Sequence, residues 1–423
     1  MYLTDRSAPG QADTEQGRRR GPGRRVAPVV LVLGSVSLIT DISSEMVTAV
    51  LPLYLVTTLG FTPLVFGTLD GVYNGVSALV QLTGGHIADR VRNHKLMAGL
   101  GYGLSALCKP LLLLVSSVGA LGTVLALDRT GKGLRTAPRD AMISLSTPPE
   151  RQGRAFGVHR AMDTTGAMLG PLAAFFILRA ATDGYDAVFG VSACVAVLGV
   201  LVLVLFVPGR RRDTRPDEAG VADSRPPVRV REALALLRIP RLRALALCAA
   251  LLGLTTVSDA FVYLLLQRRA GIADEWFPLL PLGTAAVFLL LAVPFGALAD
   301  RIGRRTVFLA GHVSLLTGYA LLLWAPATPA LPFLVLALHG VFYAATDGVL
   351  PAALADVVPE QLRASGLAIV GTSQALARFC CSLAFGAAWT VWGDGPALAG
   401  SAIGLLCCAV VAGMVLRPTG ETR

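Results

Sequence analysis

The sequence predicts an all-α membrane protein: twelve transmembrane helices in two six-helix halves related by pseudo-symmetry. Three observations carry this. Of 423 residues, 54% are hydrophobic and 15% charged, whereas soluble domains carry roughly 25% charge. The charge is concentrated in short stretches between apolar runs long enough to cross a bilayer. Two short motifs also recur, with Asp89 and Asp300 lying 211 residues apart and Glu150 and Glu360 lying 210 apart.

The apolar runs fall at 28–58, 64–88, 95–116, 118–143, 152–180, 184–208, 241–268, 275–299, 305–326, 330–355, 361–388 and 395–416. Residues 1–27 are polar and rich in arginine, so they read as a disordered tail. Residues 28–208 form the first six-helix unit. Residues 209–240 are charged and hold several prolines, with no apolar period, and read as a linker. Residues 241–416 form the second unit, and 417–423 a short tail. Basic residues follow spans two (Arg90, Arg92, Lys95), four (Arg151, Arg154), eight (Arg301, Arg304, Arg305) and ten (Arg363). Positive loops face the cytoplasm, so both termini are expected there, in a multi-pass plasma-membrane protein.

The first motif pair is Gly85–Arg90 against Gly296–Arg301. Both read G-x-x-A-D-R, and both join the second span of a half to its third. The second pair, Pro149–Gly157 against Pro359–Gly366, joins the fourth span to the fifth. Two independent pairs with nearly one offset indicate a duplicated six-span unit whose halves run in the same direction.

With these motifs the chain resembles the major facilitator superfamily (MFS), whose loop motif is G-x-L-A-D-R-x-G-R-R/K. Gly296, Asp300, Arg301, Gly303 and Arg304 fit it closely. The first copy keeps Gly85, Asp89 and Arg90 but has Arg92 and Asn93 at the following glycine and arginine positions. The resemblance implies that Asp89 caps the helix opening near Glu360, as part of a gate. It also implies a transporter, resembling bacterial proton-coupled drug exporters.

Ionisable residues inside the bilayer cost several kcal/mol unless paired or wet, so each marks a candidate site. In span one, Asp41 and Glu45 stand at i, i+4 on one face. Their repulsion favours retention of a proton by one of them, which a proton carrier needs. In span four, Asp128, Lys132, Arg135 and Arg139 form a stripe with Arg129 beside it. That stripe is expected to meet Asp41, Glu45, Asp70 or Asp163. Arg129, Lys132 and Gly133 partly match the superfamily's span-four motif R-x-x-Q-G-x-G, which implies that Arg129 assists proton transfer. In span five, His159 and Asp163 share a face. Gly166, Gly170 and Pro171 resemble the antiporter motif there, although Ala174 and Phe175 replace its last glycines. The second half offers Asp259, Asp347, Gln374 and Arg378, with Asp347 expected to pair with Arg378.

The seven cysteines sit in apolar segments without ligand spacing, so neither a metal nor a cofactor is expected. No HExxH, GxSxG or ATPase signature occurs, which argues against an enzyme. The pI of 9.6 comes from tails and loops rather than from a nucleic-acid surface. The expected partners are protons, a small-molecule substrate and the bilayer, with the chain a monomer. Efflux of hydrophobic or cationic compounds by proton antiport leads. Uptake or exchange of a small anionic solute is the alternative favoured by the basic stripe. A non-transporting membrane sensor is the alternative of another class.

Overall fold

The computed structural model describes residues 27–90, 93–148, 151–207, 238–347 and 363–415. The expected tails and almost all of the expected linker lie outside these residues. So do Glu150, Glu360 and the side chains of Gly85, Asp89 and Arg90, so the gate-cap expectation also falls outside them.

Thirteen α-helices are present among the described residues. In the first half they are α1 (Pro28–Leu53), α2 (Pro63–Arg90), α3 (His94–Leu111), α4 (Val118–Leu145), α5 (Gln152–Ala180) and α6 (Gly184–Phe206). In the second they are α7 (Pro240–Thr255), α8 (Asp259–Ala270), α9 (Leu279–Ile302), α10 (Arg304–Trp324), α11 (Leu331–Thr346), α12 (Arg363–Trp392) and α13 (Asp394–Val415). Among the described residues eight spans are long and apolar enough to cross a membrane by length and composition. The helices α2, α3 and α4 carry more polar residues, and α11 is shorter. Apolar side chains such as Leu201, Leu205 and Phe206 on α6 and Leu290 and Val293 on α9 are exposed. A surface this apolar fits a lipid environment.

The expected span 241–268 is two helices, not one. Backbone helix stops at Thr255 and restarts at Asp259. The hydroxyls of Thr255 and Thr256 bond back to carbonyls one turn earlier, competing with the helix ladder. The Val257 N–H leaves the ladder altogether and donates to the Tyr319 hydroxyl at 2.9 Å. Span one also departs from regular helix: past Pro52, which lacks an N–H, residues Tyr54–Thr58 widen into a π turn.

In the first half α1 packs on α5 and α6, α2 on α4, and α3 on α4 and α6. In the second, α9 and α10 pack on α11, α7 on α12, and α13 on α7, α10 and α12. Contacts across the halves join α2 to α12, α5 to α9 and α1 to α8. Without a hydrophobic force between helices in lipid, close packing of small residues must supply attraction. At Gly166 a Cβ would overlap the Leu38 carbonyl oxygen, and at Gly170 it would lie 2.7 Å from Glu45 Cβ. These two glycines therefore let α5 lie against the backbone of α1. Gly67 does the same between the halves, beneath the Ser382 carbonyl of α12. Aromatic rings seal that junction: Phe66 of α2 meets Phe261 of α8, which meets Phe385 and Trp389 of α12.

Gly166→Ala is expected to force α5 off α1 and to destabilise the protein by about 1–3 kcal/mol, the usual cost of overpacking. Thermal unfolding of purified protein in detergent measures this. Gly190→Ala on α6, where an added Cβ meets open space, should leave the midpoint unchanged. Equal effects would remove the close-approach argument.

Candidate functional site

The acids of α1 face the bases of α4. Arg135 Nη2 donates to Asp41 Oδ1 at 2.9 Å, and both side chains are less than a tenth exposed. Lys132 lies 3.4 Å from Glu45 in a half-buried pair. One turn further along α4, Arg139 reaches Asp163 of α5 at 3.5 Å and Asp140 at 3.0 Å. The i, i+4 and i, i+3 spacing of the basic stripe thus becomes a ladder that meets three of its four expected partners.

The fourth expected partner, Asp70, goes elsewhere. Its carboxylate accepts from the Ser382 hydroxyl of α12 and from Asn74. Asp128 also leaves the ladder: it takes Lys109 of α3 at 2.9 Å, Ser105 at 2.5 Å and its neighbour Arg129 at 2.9 Å. Lys109 lies in an apolar segment of the sequence, and its partner is on another helix. The guanidinium of Arg129 stacks on Tyr73 at 3.9 Å, and that of Arg135 on Tyr102 at 4.6 Å. Such stacking contributes most when the cation is desolvated. It covers guanidinium nitrogens that make no hydrogen bond, Arg129 Nε among them together with Arg135 Nε and Nη1.

His159 is buried and bonded to Ser37 at 3.0 Å. Ser37 also contacts Tyr102 and accepts from Arg139. His159 and Asp163 therefore share one hydrogen-bonded group through Ser37 and Arg139, rather than touching each other.

In the second half, Asp259 opens α8. The Tyr343 hydroxyl lies 2.7 and 2.8 Å from its two oxygens, and His339 Nε2 lies 3.0 Å from Oδ1. His339 and Tyr343 stand at i, i+4 on α11, a signal the sequence carries but which points nowhere without the fold. The expected pair Asp347–Arg378 is not formed: both side chains line a cavity without a direct ion pair among the described residues. Gln374 does not line that cavity; its backbone rests against Gly253 of α7. Of the second loop motif, Asp300 and Arg304 lie 3.8 Å apart, one turn along the chain. Arg301 is exposed. Gly303 takes φ +94°, where a side chain would be strained, and separates α9 from α10.

The cavity lies between the halves and has a volume of about 410 Å³. Glu45, Asp70 and Tyr73 line it from the first half; Asp259, Asp347 and Arg378 line it from the second. Apolar residues, among them Pro171 of the span-five motif, Phe277 and Phe288, also line it. Two hydroxyls on its wall, Ser258 Oγ and Thr284 Oγ1, are buried and make no hydrogen bond. Among the described residues no group of acids, histidines and cysteines is arranged to hold a metal.

The sequence model of the Major Facilitator Superfamily matches residues 33–379 and 271–423. The chain belongs to the Major Facilitator Superfamily. An uncharacterized MFS-type transporter of Methanocaldococcus jannaschii is 30% identical over 404 residues, 93% of this chain and 95% of that one. The multidrug resistance protein MdtH of Photorhabdus laumondii is 31% identical over 164 residues, 38% of this chain and 39% of its own. The crystal structure of the nucleoside transporter NupG superposes with a TM-score of 0.75 at 13% identity, covering 92% of this chain and 99% of that one. That likeness shows the MFS fold. Membership of that superfamily, together with the MFS-type relative, makes the protein a multi-pass membrane transporter of a small molecule.

Breaking the Asp41–Arg135 pair from one side should be costly. Arg135→Leu leaves a buried carboxylate without its partner and is expected to destabilise by about 3–5 kcal/mol. Adding Asp41→Leu should restore much of that loss. Thermal unfolding of the two single variants and the double variant reads the coupling, and simple additivity would show the pair to be inert.

Proposed function

We propose that this MFS protein is a proton-coupled exporter of small hydrophobic or cationic compounds, working by alternating access. In this reading the thirteen helices make twelve crossings, α7 and α8 together forming one. They assemble as two six-helix bundles, 28–208 and 241–416, joined by the linker 209–240. The protein acts as a monomer in the plasma membrane with both termini cytoplasmic.

One observation supports cations over anions. Four acids line the cavity, while Arg378 is the one base among its lining residues. The bases of α4 lie behind the wall, each already facing an acid. A stripe that suggested anion binding is thereby consumed internally. Glu45 belongs to both environments, lining the cavity while Lys132 holds it from behind. A proton on Glu45 releases Lys132, and a cation in the cavity competes for the same carboxylate. Exchange of the two follows from that competition. Asp41, Asp163 and His159 sit in the charged network behind it and are placed to relay or store the proton, and Arg129 to tune it. The gate roles of Asp89 and Asp300 rest on the duplicated motif.

The test is transport in proteoliposomes with an imposed pH gradient, against one panel of organic cations and one of organic anions. Gradient-driven movement of cations with counterflow of protons is expected. Movement of anions alone would favour anion uptake or exchange, the reading that Arg378 supports.

The Asp41→Asn/Glu45→Gln double variant should lose substrate-driven proton flux while retaining substrate exchange without a gradient. Undiminished proton flux in that variant would move the carrier to Asp163 or His159. Tags at Met1, within 213–225 and at Arg423 should all be cytoplasmic, and tags at Ile272 and Gly393 external. An external C-terminus would break the twelve-crossing count.

A further inference from the structure

The acids in and behind the cavity wall are held in two different ways. Asp41, Glu45, Asp128 and Asp163 each face an arginine or lysine. Asp70, Asp259 and Asp347 make no such ion pair among the described residues, although the charge of Arg378 acts on both Asp259 and Asp347. Asp70 is held by neutral donors, Ser382 and Asn74. Asp259 is held by Tyr343 and His339. Both line the central cavity, and they come from opposite halves. With all lining acids ionised, Arg378 and the Lys132 behind Glu45 offset two of the four negative charges, so two remain for a ligand to meet.

We propose that Asp70 and Asp259 form a two-carboxylate subsite that recognises organic dications, one positive group at each half. This rests on the cation-export reading and narrows its substrate class. Tyr343 is a positioning residue: its hydroxyl contacts both oxygens of Asp259 and fixes the plane of the carboxylate. A hydroxyl orients a carboxylate without cancelling its charge, which stays available to the ligand. A second, independent feature points to a ligand. Thr284 is only 3% exposed, lines the same cavity and makes no hydrogen bond within 3.5 Å through its hydroxyl, with Tyr263 standing near it; the Ser258 hydroxyl stands near Asp70, likewise without a bond of normal length. Buried hydroxyls without partners are rare in folded proteins, and here they offer acceptors to ligand N–H groups between the two charges. The apolar part of the lining fits a flat hydrophobic body. The ligand class is therefore an aromatic or otherwise apolar dication that carries N–H donors. A cation spanning both halves also holds them together until protons replace it on the carboxylates, which fits exchange of one dication against protons.

Propidium and ethidium test this. They share one aromatic body with two amino groups, and propidium carries an additional quaternary ammonium. Binding of each dye to purified full-length protein is followed by fluorescence at neutral pH. Size-exclusion chromatography establishes that each variant is folded. Wild type is expected to bind propidium roughly tenfold tighter than ethidium, a factor equivalent to about 1.4 kcal/mol. Asp259→Asn and Asp70→Asn should each abolish that preference while changing ethidium affinity by no more than about threefold, since a single charge settles on the remaining acid. Because the two acids lie on different halves, a folding failure of one variant leaves the other to read the ratio. Tyr343→Phe should reduce the preference in part without removing the acid. Equal affinity of the two dyes for wild type, or an unchanged ratio in the folded acid variants, overturns the paired subsite and leaves the cation-export reading in place. Failure of wild type to bind either dye overturns both.

Discussion

A carboxylate inside an apolar helix has to be answered by another helix. Asp41 on α1 sits where water is scarce, and Arg135 on α4 is the group that answers it. Much of the first half is arranged around that demand. The ladder of α4 bases sets the facing of α1 and α4. The α1–α5 contact then holds α1 in place, through glycines that allow Leu38 and Glu45 to approach the α5 backbone. Glu45 is positioned twice over, by the glycine pressed beneath it and by Lys132 behind it. A charged network of this kind contributes little net stability once desolvation is counted, yet losing one member is expensive.

The same constraint explains what could be read in the sequence and what could not. The apolar segments, the i, i+4 acids and the span-four stripe are local patterns, and the described residues of each lie on helices in the structure. Pairings between helices are not local. Nothing near Lys109 in sequence announces Asp128, and nothing near Asp70 announces Ser382, which lies 312 residues away. The expected Asp347–Arg378 pair came from neighbouring helices and opposite charge alone. It failed because both groups open onto the cavity, where direct pairing is no longer required to satisfy them. The break between α7 and α8 was concealed by continuous hydropathy. Its only local sign was a run of threonine, valine and serine at 255–258, a pattern that tolerates helix in other contexts.

The two halves share a loop motif and a connectivity but have diverged in chemistry. The first half keeps its charges mostly in pairs behind the cavity wall. The second presents Asp259, Asp347 and Arg378 directly to it. Duplication supplies two similar scaffolds, and transport asks different things of them. One half keeps a charged network set back from the cavity, while the other lines the cavity with its charges. Glu45 is where these demands touch, since it is the one member of the α1–α4 ladder that also lines the cavity.

The helix break at 255–258 belongs to this division. In lipid, backbone N–H and C=O groups outside regular helix must be satisfied internally or face a polar cavity. Here Tyr319 satisfies one N–H of the break, and the start of α8 adjoins the cavity through Ser258 and Asp259. The N-terminus of a helix carries a partial positive charge, which complements the carboxylate in its first turn. Asp259 thus obtains from the backbone, from Tyr343 and from His339 the support that Asp41 obtains from an arginine. The hydroxyl and the helix terminus stabilise the position of the charge without cancelling it, and leave it facing whatever enters the cavity.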